Sequence, residues 1–146
     1  MKTSIAGAVC IVLLAAASAP AHEVKHKGLA IVHPWTVPTA NAAPKDVTVY
    51  LKVRNLGTAA DRLLSASSPR AASVRLLEPG DADTPPVASL ALRPGAELRP
   101  RLVLIGFVEA LDTYESFPMT LMFAKAGRLE IEVYVEEAQG ASPKPP

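Results

Sequence analysis

The sequence predicts an all-β fold, an antiparallel sandwich or barrel of about eight short strands. Three observations predict it. Two segments alternate apolar and polar residues with a period of two, which wets one face and buries the other. Six shorter apolar runs are separated by turn signals, and most of the 14 prolines fall between the runs, where they oppose helix.

In chain order, the first apolar run covers 29–32 and leads into His33-Pro34-Trp35. The residue before a proline is held extended, so His33 is expected to end this strand as a hydrogen-bonded structural histidine, with the Trp35 indole plugging one end of the core. Next comes "DVTVYLKVRN" (46–55), where Val47, Val49, Leu51 and Val53 alternate with Thr48, Tyr50, Lys52 and Arg54. Apolar runs at 62–66, 73–77, 87–92, 101–107 and 119–123 follow, parted by "NLG", "SSP", "EPGDAD" and "RPGA". After "KAG", the segment "RLEIEVYVEE" (128–137) alternates again. In "PMTLMF", alternation puts Met119 on the face of Leu121 and Phe123, in the core, and Met122 on the other face, packed under a loop. No repeat or internal boundary is visible. The domain is expected over 22–137, with 138–146 as a disordered tail ending in "SPKPP".

Residues 1–21 read as a cleavable signal peptide. Lys2 is the basic n-region, Ile5 to Ala17 form an apolar stretch too short to span a bilayer, and Ala19-Pro20-Ala21 is a cleavage site. A cut after Ala21 makes His22 the mature N-terminus and places the protein in the periplasm or outside the cell, with no membrane span. Removing Lys2 from 15 basic residues leaves 14 against 14 acidic ones, and this neutrality excludes nucleic acid as a partner. The one cysteine, Cys10, lies in the leader within "GAVC", which lacks the Leu of a lipid-attachment box. The mature domain therefore has no disulfide and relies on its core.

The blocks "HEVKHKGLAIVHPW", "VYLKVRNLGTAADRLLSASSP" (49–69), "SVRLLEPG" (73–80), "LRPRLVLIGF" (98–107) and "FPMTLMFAKAGRLEIEV" (117–133) together resemble the periplasmic copper chaperone family PCu(A)C. The resemblance runs in order over residues 22–136 and implies a cupredoxin-like β-sandwich or barrel. It also implies Cu(I) binding and delivery towards the copper centre of cytochrome oxidase, with that oxidase's copper-site assembly proteins as partners.

The metal ligands of that family do not carry over. The pattern is a His, a Met about eleven residues on, and a later His-x-Met pair, all soft or neutral donors suited to monovalent copper. Here the two His positions fall on Leu77 and Arg101 and the paired Met on Val103, the shorter loop leaves the other Met without a matched position near Val87 or Ala88, and no His, Met or Cys occurs between Pro34 and Pro118. A guanidinium has no lone pair to donate and repels a cation. The resemblance therefore implies a degenerate or relocated site.

All three histidines, His22, His26 and His33, lie in "AHEVKHKGLAIVHPW". The amine and ring of a mature His22, with His26 or His33, offer a three-nitrogen copper(II) brace on an N-terminal arm, although terminal segments of this kind are usually mobile. A metal-free alternative uses the arginines instead. Arg93, Arg99 and Arg101, with Arg70 and Arg75 nearby, are expected to form a basic rim that docks an acidic partner or anion. Enzyme chemistry finds little support. The serines of "SASS" (65–68) have only the N-terminal imidazoles to call on, and Glu130 with Glu132 and Asp81 with Asp83 read as solvated acids.

Overall fold

The computed structural model describes residues 22–39 and 45–137; the expected signal peptide and tail lie outside them. The described residues form eleven strands: β1 (Glu23–His26), β2 (Leu29–Thr36), β3 (Lys45–Asn55), β4 (Asp61–Ser67), β5 (Ser73–Leu77), β6 (Pro86–Val87), β7 (Leu90–Leu92), β8 (Glu97–Leu98), β9 (Arg101–Phe107), β10 (Ser116–Phe123) and β11 (Gly127–Val135). The expected all-β class holds. The larger strand number comes from short pieces: β1 and β8 are additional, and the run at 87–92 divides into β6 and β7.

One sheet runs β6-β5-β9-β3-β2-β11-β10-β4-β7, with β1 on β2 and β8 on β3. β4 and β5 pack together, so the sheet curls into a nearly closed barrel. Every pairing is antiparallel except β11 with β2, where Tyr134 and Val135 lie beside Trp35 and Thr36. Period-two burial is clearest on β11, where Leu129, Ile131, Val133 and Val135 are buried and Glu130 and Glu132 exposed. The core also holds Phe107 and Phe117, tilted 60° with centroids 5.4 Å apart. Met119 joins the core at 1% exposure, whereas Met122 is 41% exposed and is not covered by a loop.

Two local features depart from the sequence reading, and both shape the candidate site. The N-terminal arm is not a loose tail. Residues 23–26 pair with 29–32 across the two-residue turn Lys27-Gly28, with φ of 45° and 81°. Two central residues at positive φ match the twist of a tight hairpin, and glycine supplies one of them without strain. The second departure is at His33, which has φ 49° and is not extended. The β2–β3 register shifts between Val32 and Trp35, so the chain bulges there and the strand resumes through Trp35 and Thr36. Pro34, with no N–H to donate, sits inside the bulge where the ladder is already interrupted. The Trp35 ring consequently lies half-buried on the outside and does not plug the core.

Candidate functional site

Strand register brings together Leu77, Arg101 and Val103, the three residues that the sequence resemblance sets at ligand positions. Leu77 on β5 lies opposite Arg101 on β9, and Val103 is two residues along the same strand, opposite Arg75. Residues two apart on a strand share a face, so Leu77, Arg101 and Val103 stand together on the outer side of the barrel wall. Leu77 is buried and Arg101 half-buried. Arg101 Nη2 reaches the Glu78 carbonyl only at 3.5 Å, and its Nε is buried without a hydrogen-bond partner. The patch therefore offers aliphatic carbon and a fixed positive charge, with no donor for a copper ion.

The arginines are not one rim. Arg99 and Arg101 are near neighbours, and Arg99 Nη2 pairs with Glu97 Oε1 at 3.1 Å. Glu97 also faces Lys52 at 3.8 Å and Arg54 at 3.9 Å, leaving this stretch of wall basic. These side chains are solvated, so the pairs orient more than they stabilise. Arg93 stands elsewhere, in a shallow pocket with Asp61, Arg62 and Lys125. Its turn is tied to Asn55 through the Gly95 amide, five residues along β3 from Tyr50, which lies opposite Arg101. Arg70 is engaged by Glu109 at 3.3 Å and Glu115 at 4.0 Å, and Arg75 is exposed on β5. The β7–β8 turn thus sets Arg93 at the Asn55 end of β3, in a different pocket from the wall that carries Arg99 and Arg101.

The histidines divide in the same way. His22 and His26 are four residues apart on an extended segment, roughly 13 Å by strand rise. His26 Nε2 donates to the Ala126 carbonyl at 3.1 Å, beside the β10–β11 turn. The structure does not bring His22 and His26 together for a metal. It places His22 beside His33: the His33 amide donates to the His22 carbonyl at 2.7 Å. The His22 ring stacks on Tyr134 at 3.9 Å, and His33 Nε2 donates to Glu136 Oε1 at 2.7 Å. His33 is the hydrogen-bonded structural histidine the sequence suggested. Among the described residues, no three His, Cys, Asp or Glu side chains converge as a metal site.

The same row of the barrel wall holds a feature that the sequence reading missed. Register aligns Tyr134, Trp35, Tyr50 and Arg101 across β11, β2, β3 and β9. Trp35 stacks on Tyr50 with centroids 4.8 Å apart and 26° between the planes. Beside them lies a cleft of about 370 Å³ whose lining includes His33, Trp35, Tyr50, Arg99 and Pro100. The wet positions of the alternating strands carry aromatic rings here, and alternation alone signalled only exposure for Tyr50 and Tyr134.

The remaining polar groups have structural partners. Ser68 is buried and its Oγ donates to the Pro118 carbonyl at 2.9 Å. Glu130 accepts from Arg128 Nη2 at 2.6 Å, and Asp81 Oδ1 accepts the Asp83 amide of its own turn at 3.1 Å. Among the described residues, Asp61 is the one group whose ionisation is clearly displaced. Partial burial pushes its carboxyl up, but the amides of Lys125, Arg62 and Ala126 and the Lys125 charge outweigh that and hold it below the usual carboxylate range.

Comparison with known proteins agrees with this architecture. The chain is similar to the copper-bound PCuAC domain from PmoF2, at 24% identity and a TM-score of 0.69, covering 80% of this chain and 99% of that one. It is similar to the apo PCuAC domain from PmoF1, at 22% identity and a TM-score of 0.68, covering 80% and 100%. The Cu(I) form of DR1885 from Deinococcus radiodurans matches at 20% identity and a TM-score of 0.51, covering 86% and 87%. No curated protein matches the chain. The expected cupredoxin-like barrel is therefore the fold this sequence adopts. The model of the LpqE-like lipoprotein family matches residues 29–135, nearly the whole barrel, and the chain belongs to that family.

Proposed function

We propose that this protein is an exported copper-chaperone-like protein whose usual copper position is degenerate. Two observations together support the reading. The barrel is similar to that of a PCuAC domain seen with copper bound, and Leu77, Arg101 and Val103, which the sequence resemblance puts at ligand positions, stand side by side without a donor among them. Its place outside the cytoplasm is supported by the leader and by membership of a lipoprotein-like family. No helix among the described residues is long and apolar enough to cross a membrane. The resemblance to the PCu(A)C chaperones supports delivery of Cu(I) towards the copper centre of cytochrome oxidase as the role, with that oxidase's copper-site assembly proteins as partners.

Copper, as cargo, is then carried at the N-terminus. After a cut at Ala21, the His22 amine and ring form one chelate, and His33, hydrogen-bonded to His22 through the backbone, supplies the third nitrogen in place of His26. Cu(I) and Cu(II) added separately to the exported protein, against a competing chelator, test this. Binding tighter than about micromolar that is lost on His22→Ala or on blocking the amine, but kept in His26→Ala, is the expected result. No binding of either ion removes copper carriage.

A metal-free docking module is the second reading, favoured by the half-buried Arg101 at the family ligand position. In it, Arg99 and Arg101 engage an acidic partner. Reversing both to Glu abolishes capture of that partner in a periplasmic pull-down; unchanged capture removes this reading.

A further inference from the structure

The barrel uses its aromatic residues in two distinct ways. All three phenylalanines, Phe107, Phe117 and Phe123, are in the core. The one tryptophan and all three tyrosines are on the outside, gathered around the end of β11. Tyr134 lies beside Trp35, Trp35 stacks on Tyr50, and the Tyr114 amide donates to the Val135 carbonyl at 2.8 Å with its ring 88% exposed. Core packing does not require this arrangement, since these rings face away from the core. Stacked, half-exposed aromatic rings beside a cleft are the surface that binds polyproline II segments: each proline ring lies on an aromatic face, and the preformed helix loses little entropy on docking.

The chain carries such a segment and releases it at this spot. Residues 138–146 read "AQGASPKPP", and its three prolines favour the polyproline region at their own positions and at the residues before them. The Glu136 amide donates to the Thr36 carbonyl at 2.9 Å, so the chain leaves the barrel next to Trp35. Nine residues at about 3.1 Å each reach roughly 28 Å. From β11 to Tyr50 is two strand spacings, roughly 10 Å. The tail has length to turn back and lie across the whole row. Its single charge, Lys144, would run beside Glu136 and Glu137, which line the cleft at Tyr134 with His22 and Tyr114.

We infer that the proline-rich tail, residues 140–146, docks on the aromatic shelf of Tyr134, Trp35 and Tyr50 in its own chain. The shelf continues in register to Arg101 and borders Arg99. The inference needs no copper, but it shares ground with the proposed ligands, since the His22 ring stacks on Tyr134 and His33 lines the cleft beside Trp35 and Tyr50, so its test is run on metal-free protein.

Trp35 is the only tryptophan, which makes its fluorescence a direct reporter. Acrylamide quenching is compared in three exported forms: the full chain, the chain ended after Glu137, and the full chain with Pro143, Pro145 and Pro146 changed to Ala. Ending the chain at 137 leaves every core residue in place. The expected result is that Trp35 is protected about threefold in the full chain and unprotected in both variants. A synthetic AQGASPKPP peptide then restores protection to the shortened form, saturably, and fails to do so when Tyr50 is changed to Ala. Equal quenching in all three forms, with no effect of millimolar peptide, overturns the inference. Protection that disappears on dilution of the full chain also overturns it, by assigning the shelf to the tail of a second copy.

Discussion

Leu77 on β5 and Arg101 on β9 are direct cross-strand neighbours on the outer wall of the barrel, with Val103 two residues beyond Arg101. Side chains opposite one another on paired strands lie about 5 Å apart at Cβ, close enough for two ligands to share one ion. Leu77, Arg101 and Val103 thus have a spacing at which ligands could share an ion, while their own side chains offer no donor. Restoring donors is expected to restore the site. Leu77→His with Arg101→His and Val103→Met should give Cu(I) affinity of about micromolar or tighter, in competition with a chelator, in a form whose His22 is also changed to Ala. Failure of the folded triple variant to bind would show that the wall no longer has the shape the metal needs.

Asp61 ties the start of β4 to the β10–β11 turn. Its Oδ1 accepts the Arg62 and Lys125 amides at 2.8 Å each, and Oδ2 accepts the Ala126 amide at 3.0 Å. Folding holds this carboxyl below its unfolded value, so its contribution is complete at neutral pH and is lost as the pH falls through the lowered folded value. Asp61→Asn is expected to cost roughly 1–2 kcal/mol at neutral pH, allowing for solvent screening, and to lessen the loss of stability on acidification. Urea unfolding at neutral pH and at pH near ~3 measures both effects. An unchanged acid limb in the variant would remove Asp61 as its source.

Asn55 is a buried polar residue with its amide spent on the β3–β4 turn. Its Nδ2 donates to the Ala59 carbonyl at 2.9 Å and to the Leu92 carbonyl at 3.1 Å, and its Oδ1 accepts the Gly57 amide at 3.0 Å. Asn55→Ala leaves the buried Leu92 carbonyl and the partly buried Ala59 and Gly57 groups short of a partner, and is expected to lower unfolding free energy by about 1–3 kcal/mol. Asn55→Asp keeps the acceptor but loses the donors, so it should be no more stable than the alanine form. Chemical denaturation of the two variants against the parent provides the comparison.

Phe117 is fully buried against Phe107. With no disulfide in the barrel, packing of this kind carries the stability, and Phe117→Ala is expected to lose about 3–5 kcal/mol. Phe117→Leu, which keeps most of the volume, should lose less than half of that. A thermal midpoint in Phe117→Ala equal to that of the parent would contradict the placement of this ring in the core.

His22 and His33 meet only because of the bulge in β2, and so does the stacking of Trp35 on Tyr50. A prediction separates the two. Replacing His33 with Gly relieves the positive φ of 49° while removing the bond to Glu136 at 2.7 Å. Because the backbone gain offsets the lost pair, stability should stay within about 1 kcal/mol of the parent. His33→Ala loses the pair and keeps the strain, so it should be the less stable of the two variants; the reverse order in denaturant titrations would refute the strained bulge.

The sequence by itself determined which residues are strands and which face of each is buried. The expected segments 73–77 and 101–107 are β5 and β9 to the residue, and the alternation over 128–137 is the burial pattern of β11. It also placed Met119 inside. These are local properties, since period two and turn chemistry act between residues a few positions apart. Tertiary structure alone decided who meets whom. The register of β5 on β9 joins Leu77, Arg101 and Val103, while the β7–β8 turn carries Arg93 away from them. The Lys27-Gly28 hairpin and the His33 bulge set His22 beside His33 and far from His26, and they turn Trp35 outward onto Tyr50. Such adjacencies depend on strand pairing and one inserted residue, and a slip of a single position would send every side chain to the opposite face.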